Sequence, residues 1–183
     1  MIVLYPPTQR DLNLLKYKKN LLNLSFTTLA EFLFGMRMLC EECQLLKRRS
    51  LFVQCAAVSD FYIPFNSMSE NKLPSGGDLT LQLKQVPKLL YIIKQLCPLT
   101  VVISFKLETD EELIKKKASI VLASGQVDMV IGNLLESCHD RVVCFTLDST
   151  VIIEKNAQKD IELELTQMLI EMHRKKSMEE IAL

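Results

Sequence analysis

Two hydrophobic rhythms alternate along the chain, and the switches between them mark out its elements. Ile2 to Tyr5 is a short apolar run, followed by a basic, Leu-rich stretch from Asp11 to Leu22. After Thr27 and Thr28, either of which can cap a helix, Leu29, Phe32, Leu33, Met36, Leu39, Cys40 and Cys43 recur at helical spacing. Lys47, Arg48 and Arg49 close that helix, where cations suit the negative end of its dipole. Leu51 to Ala57 is continuously apolar, the pattern of a strand covered on both faces. A long loop from Ser59 to Asp78 follows, rich in Pro, Ser and Gly, and loops of this length are usually functional or disordered. Leu79 to Leu83 alternates apolar and polar positions, as an edge strand does.

Pro87 is placed to open a helix in its first turn, with Leu89, Leu90, Ile93 and Leu96 facing inward. Val101 to Phe105 reads as a second buried strand. The helix after it carries Ile114, Ala118, Val121 and Leu122 on one stripe and leaves Lys115, Lys116 and Lys117 mostly outside it. Val127 to Ile131 is a third strand, ended by Gly132-Asn133. Arg141 to Leu147 and Thr150 to Ile153 form a hairpin around Asp148-Ser149, and a final helix aligns Ile161, Leu165, Met168, Leu169 and Met172. This βαβα rhythm predicts an α/β fold: a Rossmann-like three-layer domain with a largely parallel sheet, right-handed crossovers and a C-terminal β-hairpin plus helix. Without repeats or low-complexity segments, residues 1–183 read as a single domain.

Composition acts mainly by exclusion. Lys and Arg number 22 and Asp and Glu 22, which argues against nucleic acid or an anionic membrane as a partner. No apolar run reaches the roughly 20 residues needed to cross a bilayer, and the start lacks the pattern of a secretory signal. The six cysteines, at 40, 43, 55, 97, 138 and 144, are spaced like reduced, buried thiols of a cytoplasmic protein. Cys40-x-x-Cys43 lies on an apolar helix face without a second such pair, so it is read as core and no metal site is assigned. Cys138-His139 reads as a turn histidine beside a buried thiol. The basic clusters at 16–19, 47–49, 115–117 and 174–176 read as solvated faces and helix ends.

Ligands of an open parallel sheet bind beyond the carboxyl ends of its strands. That rule places Asp60, Phe105 and Asn133 on one rim, although they are far apart in sequence. Lys72, beside Ser75-Gly76-Gly77, sits in the long loop that follows the first of them, where a cation beside free backbone suits a phosphate. No G-x-G-x-x-G follows a strand, which disfavours a nicotinamide-dependent oxidoreductase.

The residues at these tips go further. Ala56-Ala57-Val58-Ser59-Asp60-Phe61-Tyr62, Asn71-Lys72 with Ser75-Gly76-Gly77, Val86-Pro87-Lys88-Leu89-Leu90, Ile103 to Asp110, and Asn133-Leu134-Leu135-Glu136-Ser137 stand in this order after Phe26-Thr27-Thr28-Leu29-Ala30. In order and spacing they resemble eukaryotic phosphopantothenate–cysteine ligases, from about Leu24 to about Met168. The resemblance implies activation of 4'-phosphopantothenate by ATP (or CTP) with Mg2+, then amide formation with cysteine. The Phe105–Asp110 motif is of the type that takes ATP. It further implies that the backbone of Ala56 and Ala57 lines the nucleotide, that Asp60 contacts its sugar, that Phe105 packs on base or ribose, and that Asn133 hydrogen-bonds to it. Lys72 matches a loop lysine that bears on the acyl-nucleotide step, and Lys115 to Lys117 fall too early on their helix to match others.

Members of the family are dimers, which implies a homodimer here. The family's glycine-rich first segment is not matched: the five glycines lie at 35, 76, 77, 125 and 132, so the chain is expected to be N-terminally truncated relative to the family. Two readings stay open, a ligase and a non-catalytic relative that keeps part of the nucleotide rim and pairs with a full-length ligase.

Overall fold

Thr28 opens the first long helix. Its hydroxyl accepts the Glu31 N–H at 3.2 Å, and the Glu31 carboxylate takes the N–H groups of Thr27 at 2.7 Å and Thr28 at 3.1 Å. This reciprocal cap satisfies amides that a first helical turn leaves unpaired. The same bonds, led by that from the Thr27 N–H, hold the Glu31 carboxyl below its usual range. The computed structural model describes residues 2–5, 20–73, 75–156 and 160–179. Most of the basic stretch read from Asp11 to Leu22 lies outside them, as does Pro74 of the long loop.

In chain order the strands are β1 (Ile2–Tyr5), β2 (Leu22–Ser25), β3 (Leu51–Gln54), β4 (Phe61–Tyr62), β5 (Lys84–Gln85), β6 (Val101–Glu108), β7 (Met129–Leu134), β8 (Arg141–Phe145) and β9 (Thr150–Glu154). The helices are α1 (Leu29–Leu46), α2 (Leu89–Leu96), α3 (Glu111–Ala123) and α4 (Ile161–Met178). The main sheet has the order β3-β6-β7-β8-β9. Its first three strands are parallel, and β8 and β9 continue it antiparallel as the predicted hairpin. β1 and β2 pair in parallel as a separate ribbon, and β4 and β5 form a small antiparallel pair in the long loop.

Alternation along the central strands builds the three layers. Val102, Val130, Val143 and Phe145 point to the face covered by α1, α2 and α3, where they meet Phe32, Met36, Ile93 and Ile114. Val101, Ile103, Met129, Ile131 and Cys144 point to the opposite face, where α4 lays down Ile161 and Leu165. The expected three-layer α/β architecture is therefore present. No helix among the described residues is long and apolar enough to cross a membrane.

Asp128, just ahead of β7, joins the layers. Its Oδ2 accepts the Val102 N–H at 2.8 Å and the Lys94 ammonium at 3.1 Å, and its Oδ1 accepts the Lys176 ammonium at 2.8 Å. Burial alone raises such a carboxyl, but Lys176, the Val102 amide and Lys94 together outweigh burial and hold it below its usual range. Cys40, fully buried on α1, belongs to the same core cluster as the equally buried Cys97, so the Cys40-x-x-Cys43 segment faces the core as its helical pattern requires.

Several boundaries depart from the sequence reading. β3 stops at Gln54 instead of reaching Ala57, because it is the last strand of the sheet and Cys55 and Ala57 are already exposed. Leu79–Leu83 forms no strand: without a partner to hydrogen-bond, its alternation produces no ladder, and pairing begins only at Lys84. Pro87 stands ahead of the cap residue Lys88 rather than in the first turn of α2. β2 was hidden in the Leu-rich run before Thr27. β7 runs through Gly132 and Asn133 where a turn was expected.

Gly132 explains the last point. A Cβ there would collide with the Ile114 side chain of α3 and press on Phe145 of β8 at 3.0 Å, so glycine is required by close packing and not by a turn. Gly132→Ala is therefore expected to destabilise by about 1–3 kcal/mol, measured by urea unfolding. An unchanged midpoint would mean that α3 can retreat freely.

Candidate functional site

The register of the sheet sets the rim. Gln54, the last residue of β3, pairs with Ser104, so Cys55, Ala56 and Ala57 leave the sheet beside Phe105 and Lys106 of β6. In β7, Ile131 lies opposite Phe105 and Asn133 opposite Leu107. The parallel strands thus end in steps, and Ala56, Ala57, Phe105 and Asn133 gather at their carboxyl ends.

Side-chain alternation divides these residues between the two faces. Ala56 and Val58 turn to the face of α1 and α2 and pack on its core. Phe105 and Asn133 share the other face with Leu107, beyond the reach of α4. Phe105 is half-buried against that core, and Leu107 is 54% exposed. The result is an open shelf of aromatic and aliphatic surface at the strand ends.

Asn133 is the odd group on that shelf. Its Oδ1 is buried and has no hydrogen-bond partner among the described residues. A buried polar atom without a partner carries a desolvation penalty of about 1–3 kcal/mol, and a donor arriving with a ligand removes it.

Two further groups near this edge escaped the sequence reading. The Glu108 carboxylate, at the end of β6, receives the Lys117 ammonium at 2.5 Å. Asp110 makes that contact possible. It caps α3 by accepting the Leu113 N–H at 2.8 Å, which fixes the helix start and turns Lys117 back toward the strand. The cap Asp110 and the lysine run were the available signals. Lys117 separates from exposed Lys115 and Lys116, which stay on the solvent side as expected.

Asp60 is exposed and lies at the root of an arm. Its carbonyl accepts the Val86 N–H at 2.9 Å, next to the β4–β5 ladder, and Ser59 closes a tight turn by donating to the Phe61 carbonyl at 2.7 Å. Lys72 is out on that arm, exposed, without a hydrogen bond or ion pair among the described residues. Its neighbours Asn71 and Leu73 line a cavity of about 550 Å³ within the arm, with Met68, Leu79 and Leu81. The four rim residues are brought together by the sheet, Asp60 adjoins them along the chain, and Lys72 depends on the arm's position.

Several known proteins are similar to this chain in sequence and fold. Phosphopantothenate--cysteine ligase 2 of Oryza sativa subsp. japonica is 40% identical over 156 residues, covering 84% of this chain and 48% of the relative. Phosphopantothenate--cysteine ligase of Homo sapiens is 38% identical over 148 residues, covering 78% and 48%. The chain spans about half the length of the curated relatives it matches. Among solved structures, a histidine-to-alanine variant of Cab2 in complex with phosphopantothenate-cysteine gives a TM-score of 0.82 at 26% identity, over 91% of this chain and 57% of that one. A DNA/pantothenate metabolism flavoprotein from Streptococcus pneumoniae shares the fold, with a TM-score of 0.62 at 22% identity over 81% and 72%. Residues 32–173, from α1 to α4 and including the whole rim, match the DNA/pantothenate metabolism flavoprotein C-terminal domain, and the chain belongs to that family.

Proposed function

We propose that this chain carries the nucleotide rim of a phosphopantothenate–cysteine ligase, which joins 4'-phosphopantothenate and cysteine through an acyl-nucleotide intermediate, with ATP preferred over CTP. The observation that carries this reading is the buried Asn133 Oδ1, partnerless among the described residues, on the same sheet face as half-buried Phe105, at the edge where parallel sheets take their ligands. Asn133 accepts a hydrogen bond from the nucleotide, and Phe105 packs against its base or ribose. The small side chains of Ala56 and Ala57 let the backbone come close, and Asp60 takes a sugar hydroxyl.

A carboxylate is a poor electrophile, and the nucleotide provides the leaving group that the cysteine amine displaces. The protein contributes positioning and charge stabilisation. Lys72 is the cation for that task, delivered by the arm. Among the described residues no three His, Cys, Asp or Glu side chains are arranged to hold a metal ion. Mg2+, if the reaction uses it, would be carried largely by the nucleotide's phosphates, as is usual for this ion, and would neutralise their charge. The arm also exposes Phe61, Leu79, Leu81, Leu83 and Phe65, the last 90% exposed, and these apolar side chains support pairing with a second copy. Six free cysteines suit work in the reducing cytoplasm.

Calorimetric titration of the chain with ATP–Mg2+ and CTP–Mg2+ tests the reading. Asn133→Ala is expected to weaken nucleotide binding roughly tenfold without lowering the unfolding midpoint, since it removes a buried Oδ1 that has no partner among the described residues. Failure of the unaltered chain to bind either nucleotide would sink the proposal. A second reading, a chain that keeps part of the nucleotide rim without the chemistry and pairs with a full-length ligase, is separated by the same assay. Nucleotide binding with no pyrophosphate release on adding 4'-phosphopantothenate and cysteine would select it.

A further inference from the structure

Strand β6 outruns its neighbour. β3 ends at Gln54, opposite Ser104, whereas β6 continues to Glu108. Among the described residues, 105–108 therefore have no strand beside them on that side, and a notch opens over the end of β3. A ligand lying in this notch can touch both faces of the sheet. Ala56, which follows β3 there, narrows the passage by no more than a methyl group.

Alternation along β6 gives its two faces opposite chemistry. Phe105 and Leu107 belong to the apolar shelf with Asn133, so Lys106 and Glu108 belong to the other face. There the register partner of Lys106 is Gly132, the residue packed against Ile114 of α3. On this face two ammonium groups share one carboxylate. Lys117 reaches back from α3 to Glu108 at 2.5 Å, and the Glu108 side chain is only 15% exposed. The next carboxylates along the chain are also engaged: Asp110 caps α3 through the Leu113 N–H, and Glu111 pairs with Arg141 at 3.2 Å. Lys106 is half-buried and has no hydrogen bond or ion pair among the described residues. A half-buried cation has given up part of its hydration, and without a partner nothing offsets that loss. A phosphate in the notch supplies the missing negative charge.

We propose that Lys106 holds the outer phosphates of the nucleotide, on the sheet face opposite the one that takes the base. This rests on the nucleotide reading of the rim given above and adds a residue to it. The base lies on the Phe105 shelf, the ribose and inner phosphate pass through the notch over Ala56 and Ala57, and the outer phosphates meet the Lys106 ammonium. Lys117 acts by position: while it occupies Glu108, that carboxylate does not neutralise Lys106.

Calorimetric titration of the full chain with ATP, AMP and inorganic tripolyphosphate tests this placement. Lys106→Met keeps an unbranched apolar stem and removes the charge. It is expected to weaken ATP and tripolyphosphate about tenfold or more, the usual scale for a lost hydrogen bond to a charged group. AMP, which lacks the outer phosphates, is expected to bind the variant as it binds the unaltered chain. A variant with a damaged rim would instead lose AMP as well. Lys116→Met, on the exposed side of α3, is expected to leave all three unchanged. A second measurement needs no variant: in reductive methylation mapped by mass spectrometry, tripolyphosphate is expected to protect Lys106 and not Lys116. Undiminished ATP binding by Lys106→Met, equal losses of ATP and AMP, or methylation of Lys106 that tripolyphosphate does not slow would overturn the placement and leave the nucleotide reading standing. Protection of Lys106 in a chain that binds no nucleotide would keep Lys106 as a polyphosphate site and remove the nucleotide reading. A chain that binds neither nucleotide nor tripolyphosphate would overturn both.

Discussion

Asp128→Ala is expected to lower the unfolding free energy by about 3–5 kcal/mol, the usual consequence of removing one member of a buried charge network. Asp128 is 15% exposed in its side chain, and its two oxygens hold Lys94 from α2, Lys176 from α4 and the Val102 N–H of β6. Without the carboxylate, Lys94, itself 18% exposed, keeps only carbonyl partners among the described residues, at 2.8 Å to Thr100 and 3.5 Å to Pro98. The α2 layer and the α4 layer also lose a shared anchor through the sheet.

The pH dependence carries the same signature. The folded protein holds the Asp128 carboxyl below its usual value, so its contribution is complete above the unfolded pKa, about 3.9, and fades as pH falls through the folded one. Urea unfolding at pH 7 and at steps from pH 5 to 3 is expected to show the gap between the unaltered chain and the variant narrowing on the acid side. A gap that stays constant over that range would mean that the packing of the side chain, and not its charge, matters.

Ile131→Ala is expected to cost about 2–5 kcal/mol, while Ile131→Val costs about 0.5–1.5 kcal/mol. Ile131 is fully buried in β7, paired with Phe105 of β6 on one side and Cys144 of β8 on the other. It packs with Ile103, Met129 and Ile153 beneath α4. Truncation to alanine opens a void directly under the Phe105 shelf, which surrounding strands held by ladders on both sides cannot close. Chemical denaturation of the two variants checks this, and equal losses for Ala and Val would show that the neighbourhood collapses into the gap.

Legibility in the sequence followed burial. The helices α1, α3 and α4 were readable because each has one apolar stripe against a sheet and polar residues elsewhere, and Thr28 and Asp110 mark two of their starts. The strands β6 and β7 were readable as apolar runs because both faces are covered, but their ends were not. The runs stop where cover stops, at Phe105 and Ile131, while the ladders continue to Glu108 and Leu134. That mismatch is the rim itself, where the backbone stays in the sheet and the side chains lose their roof. Asn133 was picked out as a rim residue, yet its place inside β7 was masked by Gly132, which reads as a turn until Ile114 is seen packed against it. Leu79–Leu83 misled for the opposite reason, since alternation describes two faces but says nothing of whether a neighbouring strand exists.

The arm leaves the body at Asp60 and returns at Val86, and a single backbone hydrogen bond joins those two residues at its root. Everything from Phe61 to Gln85 is therefore a loop whose ends are already held together. The entropy of closing such a loop grows only with the logarithm of its length, by about 0.6 kcal/mol for each doubling. Insertions, deletions and wholesale changes of sequence can accumulate beyond the root during evolution at little thermodynamic penalty, while Ala56, Ala57 and Asp60 keep their places. The rim and the arm can thus diverge at different rates within one lineage.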